Sequence, residues 1–224
     1  MRKQKGFTLA EVLITLGIIG VVAALTMPTL VQSANNAKIG PELASAMSTL
    51  GNGVDMYLQE NNATSVGIAM TKAGAADTNV GTLLEQLAGT HIKASATTAP
   101  AEAMKWSDNK TKAFNKLATS NKALLLGNKS ILAAEDPGCA LSSTQDCGVI
   151  LFTTGYGKKE KILAGRDAFK FIIKNNGEVL PYGSPGSGTT ADSQCSDTGM
   201  KGYTSDGTTC AGKIAEDGWT VNYM

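Results

Sequence analysis

Few side chains in this 224-residue chain have the means to do chemistry on another molecule. There are four cysteines (Cys139, Cys147, Cys195 and Cys210), one histidine (His91), and one acid, Glu11, set inside a long apolar run. Four thiols suit two disulfides or one zinc site, but no Cys-x-x-Cys knuckle is present. A single histidine rules out a multi-histidine metal centre, and His91, beside Ile92 in polar surroundings, reads as a surface side chain. Asp192, Asp197 and Asp206 sit among hydroxyl-rich residues around Cys195 and Cys210. Oxygen ligands suit calcium, but the EF-hand spacing is absent, so solvated turn acids are the competing reading. Gly155-Tyr156-Gly157-Lys158 and the run Gly183 to Gly188 lack phosphate-loop spacing and read as turns. Lys105-Trp106 reads as one anchoring aromatic. No nucleophile stands in a recognisable pattern with a base, so the expectation is a protein that is not an enzyme. With 20 basic and 19 acidic residues, the net charge of +1 gives no field for nucleic acid.

The element that positions Glu11 is the start of the chain. Met1 to Gly6 carries Arg2, Lys3 and Lys5 and no acid, and a mostly apolar stretch runs from Phe7 to Leu30. As a helix those 24 residues rise roughly 36 Å, enough to cross a ~30 Å hydrocarbon core. Basic residues before the span hold the N-terminus in the cytoplasm and place the rest outside. An ordinary secretory signal requires a small-residue cleavage site after the apolar run, and Thr26-Met27-Pro28-Thr29-Leu30 is not one. A plain anchor leaves Glu11 unexplained, because an acid in such a span costs about 2.5–3.5 kcal/mol on insertion scales for the similar Asp.

Lys5-Gly6-Phe7-Thr8-Leu9-Ala10-Glu11-Val12-Leu13-Ile14 resembles the class III signal of type IV pilins and pseudopilins. The resemblance covers about 30 residues closely and the rest more loosely. It implies that a prepilin peptidase cuts between Gly6 and Phe7 and methylates the new amine of Phe7. It also implies that Glu11 acts in assembly. Pro28 matches a proline often found in that family's N-terminal helix, and its missing backbone donor predicts a kink there. Loss of Arg2, Lys3 and Lys5 leaves 17 basic residues against 19 acids, a net side-chain charge of −2.

Beyond Pro28 the apolar residues Ile39, Leu43, Ala46, Met47, Leu50, Val54, Tyr57 and Leu58 recur at helical spacing. They predict one long helix from about residue 7 to 60, all-apolar in 7–30 and one-sided afterwards. Gly40-Pro41, Gly51 and Gly53 weaken it locally. The one-sided half covers a globular head, residues 61–224. The apolar half has no partner in its own chain and is covered by lipid or by copies of itself, with Gly17, Gly20, Ala23 and Ala24 permitting close approach.

In the head, Val80–Leu87 suits a short helix and Ala101–Leu117 another, with loops expected elsewhere up to about Thr119. Leu124–Leu126 and Ile131–Ala133 read as a hairpin across Gly127–Ser130. Val149–Thr154 and Ala168–Lys174 are further strands. Asn176-Gly177 is a turn, and the return strand begins with Val179-Leu180 and is stopped by Pro181. Four or five antiparallel strands on the long helix make an α+β head. Three cysteine pairings are open; Cys139–Cys147 and Cys195–Cys210 are favoured, because each joins neighbours across a loop rich in Gly and Ser. The second resembles the C-terminal disulfide loop of many type IV pilins, some of whose pseudopilin relatives hold calcium there.

The resemblance therefore implies a structural subunit, cleaved and N-methylated, stored in the inner membrane with its head outside the cytoplasm. Its partners are copies of itself or other pilins, the prepilin peptidase, the inner-membrane assembly machinery and lipid. The size of the head and the two disulfides incline towards a pilus. A type II secretion pseudopilin and a membrane-anchored binding protein that never polymerises are the alternatives.

Overall fold

A computed structural model describes residues 6, 8–98, 122–142, 145–153, 164–189, 195 and 208–222. The chain forms two compact units, residues 1–38 and 39–224. Helix α1, Leu9–Glu60, contributes to both. Its helical assignment runs without a break across Pro28 and across Gly40-Pro41.

In the first unit the helix is apolar and bare. Its large side chains from Leu9 to Val31 are 45–80% exposed. An 18-residue window reaches a mean hydropathy of 2.3 and is 0% buried, so this helix is long and apolar enough to cross a membrane.

The second unit is an α+β, pilin-like head. Ile39, Leu43, Ala46, Leu50, Val54 and Tyr57 of α1 are buried in one core, at the 3–4 residue steps of a single helix face. Helices α2 (Val66–Lys72) and α3 (Val80–Leu87) follow. The sheet then runs β1 (Ala94–Thr98), β2 (Lys122–Leu126), β3 (Ile131–Ala134), β4 (Cys147–Phe152), β5 (Ala168–Ile173) and β6 (Val179–Pro181). It is a six-stranded antiparallel sheet in sequence order. Helix α4 (Cys210–Glu216) closes the described chain.

The register follows the pleat. Leu132 pairs with Leu151, and Leu151 with Phe169, while Val149 pairs with Phe171. These side chains share the core with α1, and Phe169, Phe171 and Ile173 lie on one face as the alternation predicts. The opposite face is also apolar and buried at Ala133, Ile150, Phe152 and Ala168.

Turn chemistry sets the hairpins. Asn128 Oδ1 accepts from the backbone N–H and the hydroxyl of Ser130. Gly177, at φ +92°, closes the β5–β6 turn, where its N–H donates to the carbonyl of Lys174.

Several expectations are corrected here. The segment before residue 99 is not mostly loop: α2 and β1 lie in it. Serine-capped α2 is only seven residues long, about two turns, too short for its buried Val66, Ala69 and Met70 to stand out as a periodic stripe, and β1 is a five-residue edge strand, Ala-Ser-Ala-Thr-Thr, with no alternation to read. Pro181 ends the return strand as its last residue, paired with Phe171 at the sheet edge, where a missing donor is tolerated. The sheet has six strands rather than four or five. The expected helix over Ala101–Leu117, Lys105-Trp106 and the run 155–158 fall outside the described residues.

Candidate functional site

The candidate site is the start of α1. Thr8 is the residue before the helix, and Glu11 is its third residue. The backbone N–H of Glu11 donates to Thr8 Oγ1 at 3.3 Å. In return the Thr8 backbone N–H and hydroxyl donate to Glu11 Oε2 at 2.9 Å and 2.8 Å. This reciprocal pair is a capping box, Thr-x-x-Glu ahead of an apolar run. It satisfies two backbone donors that the first helical turn otherwise leaves bare. Glu11 therefore has a local structural task inside its own chain, through Thr8. Sequence reasoning singled out Glu11 and missed Thr8, although the Thr-x-x-Glu spacing carries the signal.

The other hydroxyls of the apolar half turn back on the helix. Thr15 Oγ1 donates to the carbonyls of Glu11 and Val12, Thr26 to that of Val22, and Thr29 to that of Thr26. Each polar group is thus spent on the backbone, and the outward surface stays aliphatic. Pro28 has no N–H to give to the carbonyl four residues earlier, that of Ala24. Gly17 and Gly20 have no other atom within 4 Å of where a Cβ would stand.

Gly6 is exposed just before Thr8. Phe7, Asp192, Asp197 and Asp206 lie outside the described residues. Among the described residues no group of three or more His, Cys, Asp or Glu side chains is placed to hold a metal.

The cysteines form two bonds. Cys139 and Cys147 are linked with Cα atoms 5.8 Å apart, and Cys195 and Cys210 with Cα atoms 4.9 Å apart. The first joins the β3–β4 connection to the start of β4. The second ties Cys195 to the first residue of α4.

His91 is not a surface residue. Its side chain is 7% exposed, its Nε2 is 2.5 Å from Glu60 Oε2, and its ring stands edge-on to Tyr57 at 5.4 Å. The polar neighbours in sequence hid this burial, because Tyr57 and Glu60 reach His91 from the end of α1. Burial, with the Glu60 carboxylate nearby, pushes the Tyr57 phenol above its usual range. The Tyr57 hydroxyl donates to Gln86 Oε1 at 3.1 Å.

Known proteins add two findings. The prokaryotic N-terminal methylation motif matches residues 1–27, so the chain carries a prepilin-type N-terminus. Over 62 residues the chain is 40% identical to the type II secretion system core protein G of Aeromonas hydrophila. That match spans 27% of this chain and 42% of the relative, less than half its length. No solved structure matches the chain.

Proposed function

We propose that this chain is a structural subunit of a type IV pilus-like filament, stored in the inner membrane and polymerised through residues 7–30. The observation that carries the reading is the joining of a prepilin-type motif at residues 1–27 to a helix whose large apolar side chains are bare. Such a surface, in a chain with one membrane-length helix among its described residues, is stable in lipid or against other copies of itself, and in neither case as a lone helix in water.

Cleavage falls between Gly6 and Phe7, which removes three positive charges and frees the amine of Phe7 for methylation. In sequence that amine then stands one residue before the Thr8 cap and four before Glu11. A neighbouring subunit offset along the filament axis brings its own Phe7 amine to this Glu11. Pairing offsets the cost of holding either charge in an apolar setting, and a misplaced subunit leaves both unpaired. The leader (1–6), the helix (7–60) and the head (61–224) divide these tasks, with the head outside the cytoplasm. The prepilin peptidase and the membrane assembly machinery are the partners.

A second reading, a pseudopilin of type II secretion, is favoured by the identity shared with the Aeromonas hydrophila protein. Intact-mass measurement of the native protein tests the common core: the chain is expected to begin at N-methylated Phe7. A mature end beyond residue 25 overturns it. Deleting the gene then separates the machines. Loss of sheared surface filaments with secretion intact marks a pilus, and loss of exoprotein secretion marks a pseudopilus.

A further inference from the structure

Three segments of the head meet at the end of the sheet marked by the pairing of Cys147 with Ile173. They are the α1–α2 connection, Ser142 and Asp146 beside the Cys139–Cys147 disulfide, and the β5–β6 turn. Between them lies a cavity of about 360 Å³, lined by Thr64, Ser65, Ser142, Asp146, Lys174, Asn175 and Asn176. That volume falls within the range of small-molecule sites. Every lining residue is polar, and none is aromatic.

The walls are tied together. The Cys139–Cys147 bond closes the stretch that carries Ser142 and Asp146. Asn175 holds the turn to the start of α2: its carbonyl accepts from Val66 N–H at 2.7 Å and its Oδ1 from Gly67 N–H at 3.1 Å. Asn176 Oδ1 accepts from Glu178 N–H at 3.0 Å. Both amide oxygens are therefore engaged with backbone donors, which fixes the side-chain orientation and leaves the NH₂ groups as donors. Lys174 Nζ is 3.0 Å from Glu178 Oε2, so its charge is already matched. Asp146 is exposed.

We propose that this cavity binds a neutral, hydroxyl-rich ligand, a saccharide ring. Each sugar hydroxyl both donates and accepts. A carboxylate beside fixed amide NH₂ groups and hydroxyls offers acceptors and donors for adjacent hydroxyls at once. A wholly apolar ligand would leave the Asp146 carboxylate and the fixed amide NH₂ groups without partners. An anion meets an exposed carboxylate and a lysine whose charge is already matched by Glu178. The covalent and hydrogen-bonded ties hold the lining in place before the ligand arrives, which lowers the ordering cost of binding. The site lies wholly within residues 39–224, so it does not depend on filament assembly.

The test uses the full chain in micelles of a zwitterionic detergent that contains no sugar. Saturation-transfer NMR is run with glucose, galactose, mannose and N-acetylglucosamine, and with acetate and inorganic phosphate as anionic probes. At least one neutral sugar is expected to give a saturable signal. Asp146→Asn is expected to weaken it about tenfold, as loss of a charged hydrogen-bond acceptor does. Thr64→Val, on an exposed residue, is expected to weaken it by a smaller factor. No saturable signal from any neutral sugar overturns the proposal. So does an affinity unchanged in both variants, or saturable binding of the anions alone.

Discussion

Three glycines within α1 give the same substitution three different outcomes. In a helix interior, Gly→Ala by itself stabilises by up to about 1 kcal/mol. At Gly51 a new Cβ has no other atom within 4 Å, so that gain is kept in full. At Gly53 the Cβ would stand 2.5 Å from Cγ1 of Ile92 and 2.8 Å from its Cδ1. Ile92 can rotate, but it is 2% exposed and has little room, so the expected change is close to zero. At Gly40 the obstacle is backbone: the Cβ would be 2.7 Å from the carbonyl carbon of Trp219 and closer still to its oxygen. Trp219 is itself held, at φ +63°, by its N–H bond to Ile214 at 2.7 Å. Overpacking costs about 1–3 kcal/mol, and a main-chain obstacle belongs at the top of that range. Set against the helix gain of up to about 1 kcal/mol, Gly40→Ala is expected to destabilise the head by about 2 kcal/mol. For a unit of this size each 1 kcal/mol moves Tm by about 2–4 °C. Thermal unfolding of the full chain in micelles, followed by near-ultraviolet circular dichroism, is expected to show Gly40→Ala melting about 4–8 °C low. Gly51→Ala is expected to melt up to about 4 °C high, and Gly53→Ala near wild type. A Gly40→Ala protein as stable as wild type would refute the packing of the Trp219 segment on α1.

At the other end of α1, Glu11→Val removes an arm of the capping box and the charge proposed for assembly. The variant is expected in the membrane fraction but poorly represented in sheared filaments, and normal filament yield without wild-type subunit sinks the assembly role. Thr8→Val removes only the hydroxyl bonds to Glu11, so it is expected to fray the first turn by about 1 kcal/mol, seen as faster amide exchange at residues 9–12. Replacing Cys195 and Cys210 by Ser opens a loop of 15 residues and is expected to cost about 3 kcal/mol, against about 2.5 kcal/mol for Cys139 and Cys147 with a separation of 8. Chemical denaturation compares the two, and a larger loss for the shorter loop counts against the chain-entropy account. The Thr82 hydroxyl, with the backbone of Asn79, holds the Asp77 carboxyl below its ordinary value. A depressed carboxyl adds stability that is present above the unfolded pKa and is lost as pH falls through the folded one. Thr82→Val is therefore expected to raise the Asp77 titration midpoint by NMR and to narrow the acid range over which the start of α3 stays ordered.

The sequence by itself determined the N-terminal segment of this protein, the basic start and the apolar stretch 7–30. Twenty-four nearly uninterrupted apolar residues, a basic start and one misplaced acid leave few physical solutions, because each is a local property of consecutive residues. The same locality made the stripe from Ile39 to Leu58, the helix at Val80–Leu87 and the hairpin turn at Asn176-Gly177 legible. Only the tertiary structure decided the rest. His91 looks solvated beside its chain neighbours, yet Tyr57 and Glu60, some thirty positions earlier, bury it. β1 has no pattern of its own and becomes a strand because β2 offers it five partners, from Ala94 opposite Leu126 to Thr98 opposite Lys122. Pro181, which reads as a stop, is admitted to β6 because the sheet ends there. The cavity at Asp146 and Asn175 draws on segments up to 112 positions apart, between Thr64 and Asn176. No window of sequence contains both walls, so only the paired strands and the Cys139–Cys147 bond bring them together.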